Sequence, residues 1–382
     1  MTDTPARQRG PLPPIPLTIL TGFLGAGKTS LLNRLVQDPA LAETAIIVNE
    51  FGEIGLDHLL VQKIEDGVVL LQSGCLCCTL RGDLITALEK LLRDLDNGRA
   101  RFRRVVLETT GLADPAPLLH TAMAHPYLSM RYRLDGVVTL VDAVNGLATL
   151  DEHFEAVKQA AVADRLVLSK SDLLDTPERR DAKDKLVTRL RALNPAAPIL
   201  DAAKGEATPD RLLDCGLYDP TQKTTDVSGW LAEEAYAAAE AEAHHHHHDH
   251  DHDPNRHDAR IQAFSLASDA AIGAATLELF LELLRSMHGP NLLRMKGVVK
   301  VAEMPDTPVV IHGVQHVLHP PVRLSGWPDD DHRTRLVFIV KDIKPQAIRE
   351  LFDAFLGNSQ TDRPDSAALV DNPLVPFGGI DR

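Results

Sequence analysis

A chain of 382 residues is longer than one hydrophobic core sustains, so two domains or slightly more are expected. Its 44% hydrophobic and 25% charged residues are those of a soluble globular protein, and a net charge of −14 excludes nucleic acid or an anionic membrane as the main partner, since both need clustered cations. No apolar run is long enough to span a bilayer, residues 1–16 lack the apolar core of a signal peptide, and the cysteines are too few and too crowded for a disulfide framework, so a cytoplasmic protein with no membrane partner is expected.

In chain order, the apolar run Pro16-Leu17-Thr18-Ile19-Leu20 reads as a strand, Gly22-Phe23-Leu24-Gly25-Ala26-Gly27-Lys28-Thr29 as a glycine-rich loop, and the leucines after Ser30 as a helix. Strand, loop and helix in that order make a phosphate cradle, with backbone N–H groups and the helix N-terminus turned to a triphosphate. Gly22, Gly25, Ala26, Gly27, Lys28, Thr29 and Ser30 are therefore candidate nucleotide-binding residues. Lys28 would reach the β- and γ-phosphates and the Thr29 hydroxyl would ligate Mg²⁺.

A second strand, 44–48, runs into 49–57, a loop with two glycines and the oxygen ligands Asn49, Glu50, Glu53 and Asp57, a candidate switch loop. A short strand at 67–71 leads to Ser73-Gly74-Cys75-Leu76-Cys77-Cys78-Thr79 and then to a helical pattern over 80–95. Thiolates are soft donors that select Zn²⁺ or similar ions, and a helix N-terminus favours their deprotonation. Cys75, Cys77 and Cys78 are thus candidate metal ligands, and a tetrahedral site requires a fourth from elsewhere. The strand 104–107 ends in Glu108-Thr109-Thr110-Gly111, where a carboxylate suited to hold the Mg²⁺ shell precedes a glycine whose N–H can approach a γ-phosphate. Asp114 and Pro115 open a helix to about residue 124, with His120 and His125 on or just past it.

Strands at 136–142 and 164–168 follow, the latter running into Ser169-Lys170-Ser171-Asp172. This is a near match to the guanine-reading Asn-Lys-x-Asp pattern: the Asp172 carboxylate can accept two hydrogen bonds from guanine that adenine cannot supply, and the Lys170 stem can lie across the base. A helix over 178–193 and a strand at 198–200 complete an alternating β/α series, the signature of a mostly parallel sheet covered on both faces.

The expected organisation is a disordered N-terminus, 1–14, then an α/β domain over 15–213 and a mobile His-rich linker over 214–258. A small α+β domain over 259–356, with an open antiparallel sheet and strands near 297–301, 309–317 and 335–340, precedes a tail at 357–382. His312, His316 and His319 fall within or near its strands.

With these motifs in hand, the chain resembles the CobW/HypB/UreG-like P-loop GTPases, specifically CobW-type metal chaperones with a CobW C-terminal domain. Gly-Cys-Leu-Cys-Cys at 74–78 is the specific marker, and Leu292-Leu293-Arg294-Met295-Lys296-Gly297 and Gly313-Val314-Gln315-His316 are similar to the family's C-terminal domain. The resemblance implies a P-loop NTPase fold and GTP hydrolysis with Mg²⁺, coupled to binding Zn²⁺ or another divalent transition metal and delivering it to a client metalloprotein. It also marks Glu53 and His125 as positions near which relatives place further metal ligands. Ser169 departs from the asparagine that many GTPases carry there. Three alternatives stay open: a cobalt, iron or nickel insertase GTPase, an ATP-dependent small-molecule kinase, and a non-enzymatic metal buffer built on the histidine tract. A homodimer is compatible with all of them.

Overall fold

A computed structural model describes residues 13–50, 68–72, 79–213, 231, 236, 260–315, 317, 318 and 321–357. The first half is a seven-stranded sheet of β1 (Ile15–Gly22), β2 (Thr44–Glu50), β3 (Val68–Gln72), β4 (Arg104–Glu108), β5 (Tyr132–Asp142), β6 (Arg165–Ser169) and β7 (Ile199–Asp201), in the order β3-β2-β4-β1-β5-β6-β7. Every pairing is parallel. The near-continuous apolar runs that predict these strands are what a sheet buried on both faces requires, and β1, β4, β5 and β6 are almost wholly buried. Because β1 has β4 on one side and β5 on the other, the chain leaves it at a topological switch point, where open α/β sheets bind ligands.

Helices α1 (Lys28–Leu35), α2 (Thr79–Asp96), α3 (Pro115–Ala124), α4 (Pro126–Arg131), α5 (Gly146–Glu152), α6 (Phe154–Ala161), α7 (Pro177–Leu193) and α8 (Pro209–Leu212) connect and cover the strands. On one face Leu31 and Leu32 of α1 pack with Ile46, Val106 and Val138 of the sheet. On the other, Leu88 of α2, Val157 of α6 and Leu190 of α7 bury Ile19, Val105 and Leu166. The expected cap of α3 is present: the Asp114 carboxylate accepts from Ala116 N at 3.0 Å and Pro115 takes the first helical position. Among the described residues no helix is long and apolar enough to cross a membrane.

The second half is an antiparallel sheet of β8 (Ile261–Ser268), β9 (Leu292–Val301), β10 (Met304–Val314), β11 (Val317–Leu318), β12 (Val322–Arg323) and β13 (Thr334–Lys341). Its order is β11-β10-β9-β13-β8, with β12 also paired to β10. Helices α9 (Ala274–His288) and α10 (Pro345–Phe355) cover one face, where Phe264, Phe280, Phe338 and Phe352 form a separate core. The expected single strand at 309–317 is instead split: β10 ends at Val314, the chain turns, and Val317 pairs back on Val314 in a two-residue hairpin loop. Gln315 opens that turn with φ +51°. No asparagine or glycine announces it, so the turn is invisible in the sequence.

The other face of this sheet packs on the first half, β9 against α6, β11 against α3 and β8 against α7. The apolar core runs without a break from Val157 and Val162 into Leu293, Val298, Val337 and Ile339. A polar group sits inside this contact. Asp164, fully buried before β6, accepts from Val137 N at 3.0 Å, pairs with Arg294 of β9, and has Lys296 Nζ at 3.5 Å. Arg294 also donates to the Val162 carbonyl.

Candidate functional site

The phosphate loop forms as its residues predict. Gly22 adopts φ +144°, and a Cβ there would stand 2.5 Å from the Leu140 carbonyl oxygen, so only glycine lets β1 leave the sheet this close to β5. Gly25 and Gly27 take left-handed backbone, and α1 begins at Lys28. Lys28 is buried and its ammonium donates to the carbonyls of Gly22 at 2.9 Å and Phe23 at 3.2 Å. Burial holds that ammonium below its usual range, with the Glu108 carboxylate working in the opposite sense. A cation confined without a full counter-charge suits a polyanionic ligand. The loop also borders a cavity of about 230 Å³ whose walls include Phe23, Leu24, Ala26, Asp142, Gln159 and Lys170.

Glu108 ends β4, next to β1, and Thr29 Oγ1 donates to its Oε1 at 2.7 Å. These two hard oxygen donors beside the lysine fit Mg²⁺, which takes a hydroxyl, a carboxylate and phosphate oxygens together. Gly111 lies on the loop that follows. A Cβ on it would approach Leu24 N to 2.6 Å and Leu24 Cα to 2.7 Å, so the two loops touch backbone to backbone. What anchors this loop has no local sequence signal. Gln159 of α6, 1% exposed, uses its side-chain NH₂ to donate to Gly111 O at 3.1 Å and Ala113 O at 2.9 Å. His153, just before α6, stacks on Phe23 at 4.4 Å between ring centroids.

Ser169, Lys170 and Asp172 come together at the end of β6. Ser169 Oγ donates to Ala26 O at 2.7 Å, so the serine ties its loop to the phosphate loop. Lys170, in left-handed backbone, pairs with Asp142 at 2.7 Å. Lys170 and the amides of Val144 and Asn145 hold the Asp142 carboxyl below its usual range although burial alone would raise it. Asp172 lies exposed in a single 3₁₀ turn, with no longer helix following directly. Ser171 donates to Asp201, at the end of β7, and Lys183 pairs with the same carboxylate at 3.4 Å. Asp142 and Asp201 were readable only as strand ends. Their position at the carboxyl edge is the signal that marks them.

The metal candidates divide. His125 lies at the junction of α3 and α4, its Nε2 3.8 Å from Glu89 Oε1 on α2. Glu53, Cys75, Cys77 and Cys78 lie outside the described residues, as do 51–57 of the candidate switch loop, His316, His319 and the histidine tract. Among the described residues no group of three or more histidine, cysteine or carboxylate side chains is placed to hold a metal. The strand that leads to the cysteines, β3, is the edge strand, with β2 and β4 between it and β1 rather than adjacent to β1. It runs parallel to β1, so the chain leaves both at the same carboxyl edge.

A parallel sheet with a lysine-bearing phosphate loop, a threonine–carboxylate pair on the neighbouring strand and a Ser-Lys-Ser-Asp base loop defines a P-loop GTPase. The chain belongs to the CobW/HypB/UreG family: its nucleotide-binding domain matches residues 16–201, and the cobalamin synthesis protein cobW C-terminal domain matches 261–356. Among relatives, the zinc chaperone YjiA of Escherichia coli is 32% identical over 339 residues, 89% of this chain and 98% of that protein. The zinc-regulated GTPase metalloprotein activator 1 of Schizosaccharomyces pombe is 36% identical over 215 residues, covering 54% of this chain and 50% of that one. The crystal structure of Zn(II)-bound YjiA GTPase from E. coli superposes with a TM-score of 0.61 at 28% identity, covering 90% of this chain and 99% of the other.

Proposed function

We propose that this protein is a GTP-hydrolysing metallochaperone that carries zinc, or a related transition metal, on Cys75, Cys77 and Cys78, with Glu53 and His125 nearby, and passes it to a client protein. The observation that carries the reading is the shared carboxyl edge: β1 delivers the phosphate loop there and β3 delivers the segment that becomes the cysteine loop. The zinc chaperone relatives, one of which matches nearly end to end, support it.

In this reading Lys28 and the phosphate-loop amides hold the triphosphate, and Asp172 accepts from the guanine edge. The Gly111 N–H faces the γ-phosphate. Thr29 and Glu108 would hold Mg²⁺, which would neutralise charge on the transferred phosphoryl group. No residue is assigned the role of general base, and slow intrinsic hydrolysis is the expectation. Filling the γ-phosphate position orders the Gly111 loop, and metal affinity is linked to that order; linkage is reciprocal.

The test is a zinc competition titration of the full chain with GDP and with a non-hydrolysable GTP analogue. The two states should differ in zinc affinity by about 5-fold or more, the lower end of ordinary coupling energies. Equal affinities would remove the coupling, and loss of tight zinc binding only when the histidine tract is deleted would turn the reading into that of a buffer.

A further inference from the structure

The loop that carries Gly111 is held from two directions. From below, α6 takes both carbonyls through Gln159, and Lys158, one residue earlier on the same helix, pairs with Asp114 at 3.0 Å. From the side comes the C-terminal sheet: Gln315 Nε2 lies 3.2 and 3.4 Å from the two oxygens of the Asp114 carboxylate, across 201 positions of sequence. Asp114 is therefore a junction of three elements, since the same carboxylate caps α3. α6 is itself gripped by the C-terminal half, with Lys341 of β13 4.3 Å from the Phe154 ring centroid.

Gln315 is an unexpected residue for its position. A two-residue hairpin loop with positive φ favours asparagine or glycine, and an unbranched long side chain there carries backbone strain of about 1 kcal/mol or more. The side chain is nevertheless buried, 5% exposed, and its amide is spent on Asp114. Strain retained at a turn that a commoner residue would relieve points to a use for the side chain.

We propose that Gln315 is a positioning residue for GTP hydrolysis: through Asp114 it makes the seating of the C-terminal sheet set the geometry of the Gly111 loop. The nucleotide state is thereby transmitted in reverse to the β10–β11 hairpin, because a coupling between two sites acts in both directions. This rests on the reading of Gly111 as the γ-phosphate sensor.

The discriminating variant is Gln315→Asn in the full chain. Asparagine suits the left-handed turn better than glutamine but is one methylene too short to reach Asp114. A residue needed only for the fold would leave the variant as active as the parent. The proposal expects unchanged or higher Tm, unchanged KM for GTP, and kcat for zinc-free hydrolysis with Mg²⁺ lowered by about 3- to 10-fold, within the range of coupling residues outside the site. In hydrogen exchange, residues 309–318 should differ between the GDP and GMPPNP states in the parent and not in the variant. An unchanged kcat, or a kcat that falls only in step with Tm, overturns it. Hydrogen exchange of residues 108–114 in the parent separates the two readings. Protection there that differs between the GDP and GMPPNP states beside a fully active Gln315→Asn removes the coupling alone, whereas protection that does not differ removes the sensor and this proposal with it.

Discussion

At the residue scale, Ser169 and Asp172 divide a task that many GTPases give to an asparagine and an aspartate. The serine hydroxyl reaches Ala26 O and holds the loop, whereas Asp172 stands exposed where a base can meet it. In the proposed reading base choice falls on Asp172, and Asp172→Ala should lower GTP affinity by about 100-fold, as expected for two hydrogen bonds to a carboxylate, while ATP affinity stays level. Competition between the two nucleotides measures it. An unchanged nucleotide preference would defeat the assignment of Asp172 to the guanine edge. These residues were legible because each motif is local: eight consecutive residues make the phosphate loop and four make the base loop. Gln159 and Gln315 were not, since their partners lie 46 and 48 positions away in one case and 201 in the other, and glutamine has no pattern of its own.

At the scale of elements, the strands of the first half were readable to within a residue or two, because a sheet buried on both faces leaves runs of valine, isoleucine and leucine. The exception is β5, which begins at Tyr132, four residues before its expected start, since its first residues include arginine and aspartate instead. Helices α4, α5 and α6 had no comparable signal. They are six to eight residues long, too short for two full repeats of an apolar stripe, and follow one another with single-residue breaks at His125 and His153 or a strand between. What fixes the end of α6 is a distant cap. Asn194, ending α7 and 1% exposed, donates its side-chain amide to the carbonyls of Ala160, Ala161 and Ala163 at 2.8–3.1 Å. Asn194→Leu leaves these buried acceptors without their donor and should destabilise the protein by about 2–3 kcal/mol. Urea unfolding would register that loss as a lower midpoint. Because α6 also carries Gln159, nucleotide turnover should decline with it at temperatures below the unfolding transition.

At the scale of the whole molecule, the two halves are locked by a charge arrangement that does not balance. Asp164 meets two cations, Arg294 and Lys296, in a fully buried site. Burial would raise the Asp164 carboxyl, but Arg294, Lys296 and His312 hold it well below the usual range. An arginine does not release its proton in such a place, so the surplus falls on Lys296: burial and Arg294 push it down to about 7 against the pull of Asp164. Between about pH 7 and its unfolded value of 10.5, the unfolded chain holds a proton there that the folded chain gives up. Raising the pH through that window therefore favours folding, and below pH 7 the contribution is constant. Thermal unfolding compared with Lys296→Met should reveal the difference. The parent gains stability relative to the variant between pH 7 and 9, and parallel profiles would show that Lys296 remains charged. None of this was legible in sequence, where Asp164 is one of many acidic residues and Lys296 one of many basic ones.

The unbroken apolar seam between the halves means that the backbone joining Leu213 to Arg260 is not what keeps them together. Leu231 and Tyr236, each 1% exposed, belong to that same seam, so the joining stretch contributes two side chains to the contact it spans. The molecule behaves as a built-in heterodimer whose members share one chain.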